Sequence, residues 1–418
     1  MSVDHRYQHL TPWLLICALA LGPVPGRGAD SAFDVPPINL SASKFLPKSV
    51  LSGEGYTIED QVSSDGVQNT YNVETTYGTF MVTGTEELLA RLQEIEATRV
   101  LRELEESEEF KTAAKSAVTG LVDTGKALIE EPGATTKAAA KGVGRWMRNI
   151  GQSIKTDDPH QDNALKTAAG YDAVKRRYAI DLGVDPYTDF EPFQLSLTEV
   201  SKAAAAGGMV TSFAISLGTA GSLAGVAVDA ARLAKMKNML KDNPPVGLAR
   251  MNLQKLIDIG IAEYQAEALL KNYNYTPMEM TLICEALLQM GDIRGREIFV
   301  AFATSAPDRQ VAHFVRHYAE MLADYITRVE SGNIVGVQGA AWLLSDSKTM
   351  VGMFPIDYLA WTPGLSDTLE GVSKKSAGFG SRSKKILLTG LFSPRARTAL
   401  EKRGWELSEK AVLVGPTY

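Results

Sequence analysis

Cysteine occurs twice in this chain, at Cys17 and Cys284, and only Cys284 lies outside a leader-like first 29 residues. A body with one thiol has no internal disulfide, so its fold must rest on a hydrophobic core even in an oxidising compartment. Cys284 falls in Met280-Thr281-Leu282-Ile283-Cys284-Glu285-Ala286-Leu287-Leu288, an apolar helical run. That setting predicts a buried structural cysteine and not a reactive one.

The leader reading has its own pattern. His5 and Arg6 precede an uninterrupted apolar run from Trp13 to Leu21, which stops at Gly22-Pro23-Val24-Pro25-Gly26. A short basic region, an apolar stretch and small residues at Gly28 and Ala29 form the pattern of a cleavable secretory signal. The apolar run is well short of the roughly 20 residues that span a bilayer, so residues 1–29 predict export without a permanent anchor. Ile16 stands before Cys17 where a lipid-modified cysteine would have a small residue, so the product is expected to be unlipidated. Loss of Arg6, Arg27 and Asp4 with the leader leaves 41 basic and 48 acidic side chains, a formal charge of −7. This balance favours solubility and argues against nucleic acid as a partner.

The body changes period along its length. Residues 30–54, with Pro36-Pro37, predict an extended lead-in. Over 55–116 the sequence predicts a three-stranded β-meander followed by a long helix. Tyr56–Ile58 and Val62 are joined through Ser63-Ser64-Asp65-Gly66 to Tyr71–Thr75, and Thr79–Thr83 follows the Tyr77-Gly78 turn. Asp-Gly between β-prone runs is a strong hairpin signal. Thr85 is placed to cap the helix, with Glu86 and Glu87 in its first turn and Leu88, Leu89, Leu92, Ile95, Leu101 and Leu104 on one face. Residues 117–243 read as an Ala/Gly-rich helical region, with a helix from Asn163 to Leu182. Residues 244–330 read as a helical bundle with helices at 245–259, 262–272, 277–290, 295–305 and 308–330, the third opened by the capping box Thr276-Pro277-Met278-Glu279. Residues 331–418 predict a small α/β unit: strands over Ile334–Leu344 and Met350–Trp361, a loop at 371–385, a strand at Lys385–Phe392, a helix from Ser393-Pro394 to Arg403 and a last strand at Trp405–Val414. The fold class is α+β.

Chemistry-bearing residues are few. His313 and His317, at i and i+4, share a helix face and could share a metal, with Glu320 and Asp324 continuing that face. In the zinc-hydrolase motif H-E-x-x-H the residue after the first histidine is the general-base glutamate, and here it is Phe314. His160 lies among Asp157, Asp158 and Asp162, without the spacing of a calcium loop. His313, His317, Glu320 and His160 are therefore the candidate metal ligands, with zinc as the ion, against the plainer reading of solvated polar groups. No catalytic residue and no cofactor-binding motif is identified: G-x-S-x-G is absent, and Gly142-Val143-Gly144 and Gly378-Phe379-Gly380 lack the flanking elements of a phosphate loop.

Residues 203–228 carry no charge, and Gly208, Ser212, Ser216, Ala220 and Ala224 recur every fourth position. Small residues at that spacing let helices approach closely, either in a membrane or inside a soluble bundle. Clear fold signals without catalytic ones predict an exported cell-envelope protein, periplasmic or extracellular, that binds or scaffolds a protein partner and is not an enzyme. The alternatives are a membrane-inserting protein using residues 203–228, and a metal-dependent hydrolase centred on His313 and His317.

Overall fold

The computed structural model describes residues 32–108, 110–112, 162–207 and 230–411. Residues 1–31, which include the stretch expected to be a leader, the Ala/Gly-rich stretch around Pro132-Gly133, His160 and residues 208–229 lie outside the described residues. The described chain is α+β, with an antiparallel N-terminal sheet, a helical middle and a mixed C-terminal sheet.

The N-terminal sheet contains β1 (Ile38–Ser41), β2 (Ser52–Gly53), β3 (Tyr56–Ile58), β4 (Gln61–Ser64), β5 (Asn69–Thr75) and β6 (Gly78–Thr83). The expected meander is present as β4, β5 and β6, except that Tyr56–Ile58 is a separate strand, β3, paired with β5, and Ser63-Ser64 belong to β4; the lead-in adds β1 against β4 and β2 against β3. In β5, Tyr71 and Val73 are buried on one face while Asn72 and Glu74 turn the other way, the two-residue period of a half-buried strand. That face packs on α1 (Thr85–Glu106) through Leu88, Leu92 and Ile95. Thr85 does not cap this helix. Gly84 occupies the cap position at φ +95°, a backbone conformation that favours glycine, and the Thr85 hydroxyl hydrogen-bonds to the Tyr71 phenol at 2.7 Å. The capping carboxylate comes from Asp357, far along the chain, which accepts the Thr85 N–H.

Next come α2 (Asp162–Asp181) and α3 (Glu191–Gly207), whose Phe193, Leu197 and Val200 complete the N-terminal core, and α4 (Ala230–Asp242). The bundle follows as α5 (Pro245–Asp258), α6 (Glu263–Leu270), α7 (Pro277–Gln289), α8 (Arg296–Thr304) and α9 (Arg309–Arg328), matching the five expected helices. The capping box at α7 is formed: the Glu279 N–H donates to the Thr276 hydroxyl at 3.0 Å and the Thr276 N–H donates to the Glu279 carboxylate at 2.7 Å.

The C-terminal unit has β7 (Gly332–Val337), β8 (Ala340–Ser345), β9 (Thr349–Phe354), β10 (Tyr358–Leu359), α10 (Pro363–Gly378), β11 (Ser383–Leu388), β12 (Leu391–Phe392), α11 (Pro394–Lys402) and β13 (Trp405–Ser408). Four expectations are corrected here: Met350–Trp361 is β9 and then β10, Lys385–Phe392 is β11 and then β12, with β10 and β12 paired in a sheet of their own, and two further segments differ. Ile334–Leu344 is a hairpin and not one strand, because Gln338 and Gly339 both take positive φ and turn the chain. Of the segment expected to be a loop over 371–385, residues 371–378 are the second half of α10, capped at its start by the Thr362 hydroxyl, and 383–385 begin β11. A helix is needed there because β9 and β11 are parallel neighbours, and parallel strands require a crossover. The sheet order is β13-β11-β9-β8-β7.

Two main cores result, one in the N-terminal sheet with α1 to α3, the other spanning the bundle and the C-terminal sheet. They are joined at the turn between β4 and β5. Val67 of that turn belongs to the second core, and its carbonyl accepts from the N–H groups of Asp357 (3.0 Å) and Tyr358 (3.2 Å). Gly66, at φ +93°, brings the backbone so near Ala360 and Pro36 that a Cβ would sit 3.1 Å from each. Asp34, in the lead-in, also reaches across: its carboxylate accepts from the Trp361 N–H at 2.8 Å and pairs with Arg395 at 3.2 Å.

Candidate functional site

A cleft of about 270 Å³ opens where the two cores meet, between β6, the start of α1 and the first turns of α9. Met81, Val82 and Thr83 form one wall, and Arg309, Val311 and Phe314 another. Met81 is 79% exposed, a large apolar side chain left on the rim. A second groove of about 550 Å³, lined by Tyr77, Phe80, Phe190 and Leu195, continues from it past Met81, Val82, Arg91 and Asp189, which both share. Arg91 lies 4.7 Å above the Phe190 ring and pairs with Asp189 at 3.0 Å, so this ion pair marks the junction of the two.

His313 stands at the bottom of the cleft between two carboxylates. Its Nε2 is 2.6 Å from Glu87 of α1 and its Nδ1 is 2.7 Å from Glu279 of α7. Burial disfavours a charged imidazole, but Glu87 and Glu279 outweigh it and push the pKa up to about 9. With both nitrogens donating, the ring has no lone pair for a metal or for a substrate proton at neutral pH. Burial opposes the ionised form of both partners as well. The His313 cation nonetheless brings Glu87 down to about 2, and Arg309 with His313 holds Glu279 well below the usual carboxylate range. Glu87 keeps 31% of its side chain exposed, so solvent screens its share of the network.

His317, one turn on, is held in the opposite state. Its Nε2 accepts from the Arg316 guanidinium at 2.7 Å, and burial together with the Arg316 charge depresses its pKa. Arg316 is buried and also pairs with Glu320 at 3.0 Å, so Glu320 is occupied by a cation of its own helix. The two imidazoles are 5.1 Å apart between ring centres. The structure thus brings His313, His317 and Glu320 onto one helix as the spacing predicts, while His160 lies outside the described residues. Among the described residues no group of three or more His, Cys, Asp or Glu side chains is arranged to hold a metal ion. Also among the described residues, no helix is long and apolar enough to cross a membrane; of residues 203–228, only 203–207 are described, at the end of α3.

The partners of His313 were present in the sequence as helix-start signals. Glu87 reads as a first-turn acid of α1 and Glu279 as the third helical residue of a capping box, and neither pattern reveals that α1 and α7 bring them to one imidazole. A second buried acidic group, Asp185, lies behind the same capping box and accepts from the Thr276 hydroxyl at 2.5 Å; burial, then the charge of Glu279, raises its pKa to about 6. Cys284 is buried as expected, and burial pushes its thiol up to about 12. No family model, curated protein or solved structure matches the chain, so the reading of the site rests on its geometry.

Proposed function

We propose that the chain is an exported cell-envelope protein that binds a protein partner through the cleft between β6 and α9, without catalysing a reaction. The observation that carries this reading is the contrast between the floor and rim of the cleft. The charged groups at the floor neutralise one another, with His313 fixed as a cation by Glu87 and Glu279. The rim offers apolar surface at the exposed Met81, and the adjoining groove adds the half-buried Phe80. Spent charges and available apolar surface suit recognition, because hydrophobic contact on a preformed cleft contributes affinity while the ion pairs hold its shape. A histidine protonated at neutral pH is a poor general base, which weighs against the hydrolase alternative. Export is supported by the secretory pattern of residues 1–29.

Photo-crosslinking in the native host tests the reading. Benzoylphenylalanine replaces Gln310 at the cleft in one strain and Tyr264, exposed on α6, in another. The expected result is a discrete adduct from the envelope fraction at position 310 and none at 264. The same adducts at both positions, or none at 310, overturns it.

A further inference from the structure

Among the described residues, the strand that forms the cleft wall leaves one edge unpaired. Among the described residues β6 pairs with β5 alone, from Thr70↔Thr83 to Thr75↔Gly78. Antiparallel partners alternate between hydrogen-bonded and non-hydrogen-bonded pairs, and the phase is set here at both ends. The two-residue loop Thr76-Tyr77 makes Thr75↔Gly78 a bonded pair, and the Gly84 N–H donates to the Asn69 carbonyl at 2.8 Å. Counting inward from either end, Gly78, Phe80 and Val82 direct their main-chain groups at β5. Thr79, Met81 and Thr83 direct theirs away from it.

Among the described residues, that edge lacks the usual protections. Exposed edge strands are ordinarily shielded by charge, proline, bulges or a covering element, because their free N–H and C=O groups recruit other strands. From Thr75 to Thr85 there is no charged residue and no proline. Thr79 and Met81 are exposed. The two grooves lie along the edge, on either side of the Arg91–Asp189 pair, and both include Met81 and Val82.

We propose that an extended segment of a partner protein adds to the free edge of β6 as a further strand, with apolar side chains on one face seated in the two grooves. This rests on the binding reading above and specifies its mode. Main-chain bonds to Thr79, Met81 and Thr83 supply register, and the pockets beside Phe190 and beside Phe314 supply selectivity, as in other strand-addition complexes. The matching segment is uncharged and rich in β-branched and aromatic residues, since a charge opposite Met81 would be desolvated without a partner. A single strand fits better than the sheet of a second copy, because the edge faces grooves walled by α9 on one side and by Phe190 and Leu195 on the other.

The test uses a phage-displayed library of random nonapeptides panned on the purified chain, followed by synthesis of the enriched peptides. Each peptide is then N-methylated at single positions, which removes one N–H at a time and leaves the protein unaltered. Strand addition requires an alternating pattern, in which methylation at every second residue abolishes binding and methylation between them is tolerated. In parallel, Met81→Pro removes an N–H that β5 does not use, and at least a tenfold loss of peptide affinity is expected with the melting temperature little changed. No enriched peptide, or enriched peptides without the alternation, overturns the proposal. So does a dimer in light scattering that Met81→Pro dissociates, which would assign the edge to a second copy. If the Gln310 crosslink persists in Met81→Pro while the alternation is missing, the strand mode falls and the binding reading stands. Loss of the crosslink in the unsubstituted edge removes both.

Discussion

Replacing Asp357 by asparagine should flatten much of the pH dependence of stability. A single oxygen of Asp357, Oδ2, accepts from the N–H of Asn69 at 2.9 Å and of Thr85 at 3.0 Å, so one buried carboxylate fixes the start of β5 and the first turn of α1. Burial raises its pKa from 3.8 to about 7, against the lowering effect of those bonds. A group whose folded pKa is raised contributes stability that is complete below its unfolded pKa and is lost as pH rises through the folded one. The window here runs from about pH 4 to pH 7 and is worth ~4 kcal/mol, of which ~3 kcal/mol falls between pH 5 and pH 9. Asparagine retains a carbonyl oxygen able to take both N–H bonds and has no proton to lose. At pH 5 the wild-type carboxyl is itself neutral in the folded protein, so Asp357→Asn should be less stable there by only ~1–2 kcal/mol, the cost of an amide N–H₂ facing the Thr85 N–H. By pH 9 the gap should close or reverse. Urea unfolding at pH 5, 7 and 9, fitted for midpoint and slope, measures this. Parallel curves for the two proteins across that range would refute the assignment of the pH dependence to Asp357.

Four other outcomes follow from the structure. His313→Ala should destabilise the protein by ~3–5 kcal/mol near neutral pH, because the buried Glu279 loses its imidazolium partner and Arg309 is its one remaining direct ion pair; thermal unfolding reads this. In the wild type the imidazole proton resonances should titrate near pH 9 and not near 6.5, and the stability held by His313 should be complete below pH 6.5 and vanish as pH passes 9. Thr276→Val should cost ~2–3 kcal/mol in denaturant unfolding, since it uncaps the Glu279 N–H and strips Asp185 of a hydroxyl partner together. Cys284 should stay inert to a thiol reagent at pH 8 in the native protein and react at the rate of unfolding once denaturant is added.

Local elements were legible because local chemistry determines them. The Asp65-Gly66 turn, the capping box at Thr276 and the prolines at the starts of α5, α7 and α11 mark boundaries wherever the rest of the chain lies. The five bundle helices follow from apolar spacing and tight turns. What was not legible depended on partners distant in sequence. Thr85 looks like a cap and is not, because Asp357 supplies the carboxylate and Gly84 can take the left-handed conformation. The Pro363–Gly378 helix is polar on its outer face and rich in serine and lysine, so composition reads as loop; a parallel sheet demands a crossover that no local pattern announces. The candidate site was half visible. His313 and His317 share a face as their spacing requires, but their opposite protonation arises from Glu87, Glu279 and Arg316, two of which arrive from other helices.

The contact between the β4–β5 turn and residues 355–360 also has a temporal meaning. Asn69 and Asp357 are 288 positions apart, and Asp34 is joined to Trp361 across 327. Synthesis delivers the N-terminal end first. The early-emerging sheet must therefore wait, with α1 lacking its carboxylate and Val67 without its core, until nearly the whole polypeptide has appeared. Closing so long a loop is slow, and the half-built edge of β6 is open throughout. A chain truncated before position 357 would carry the N-terminal sheet in this unfinished state, readily cut by proteases, so final assembly acts as a check on completeness.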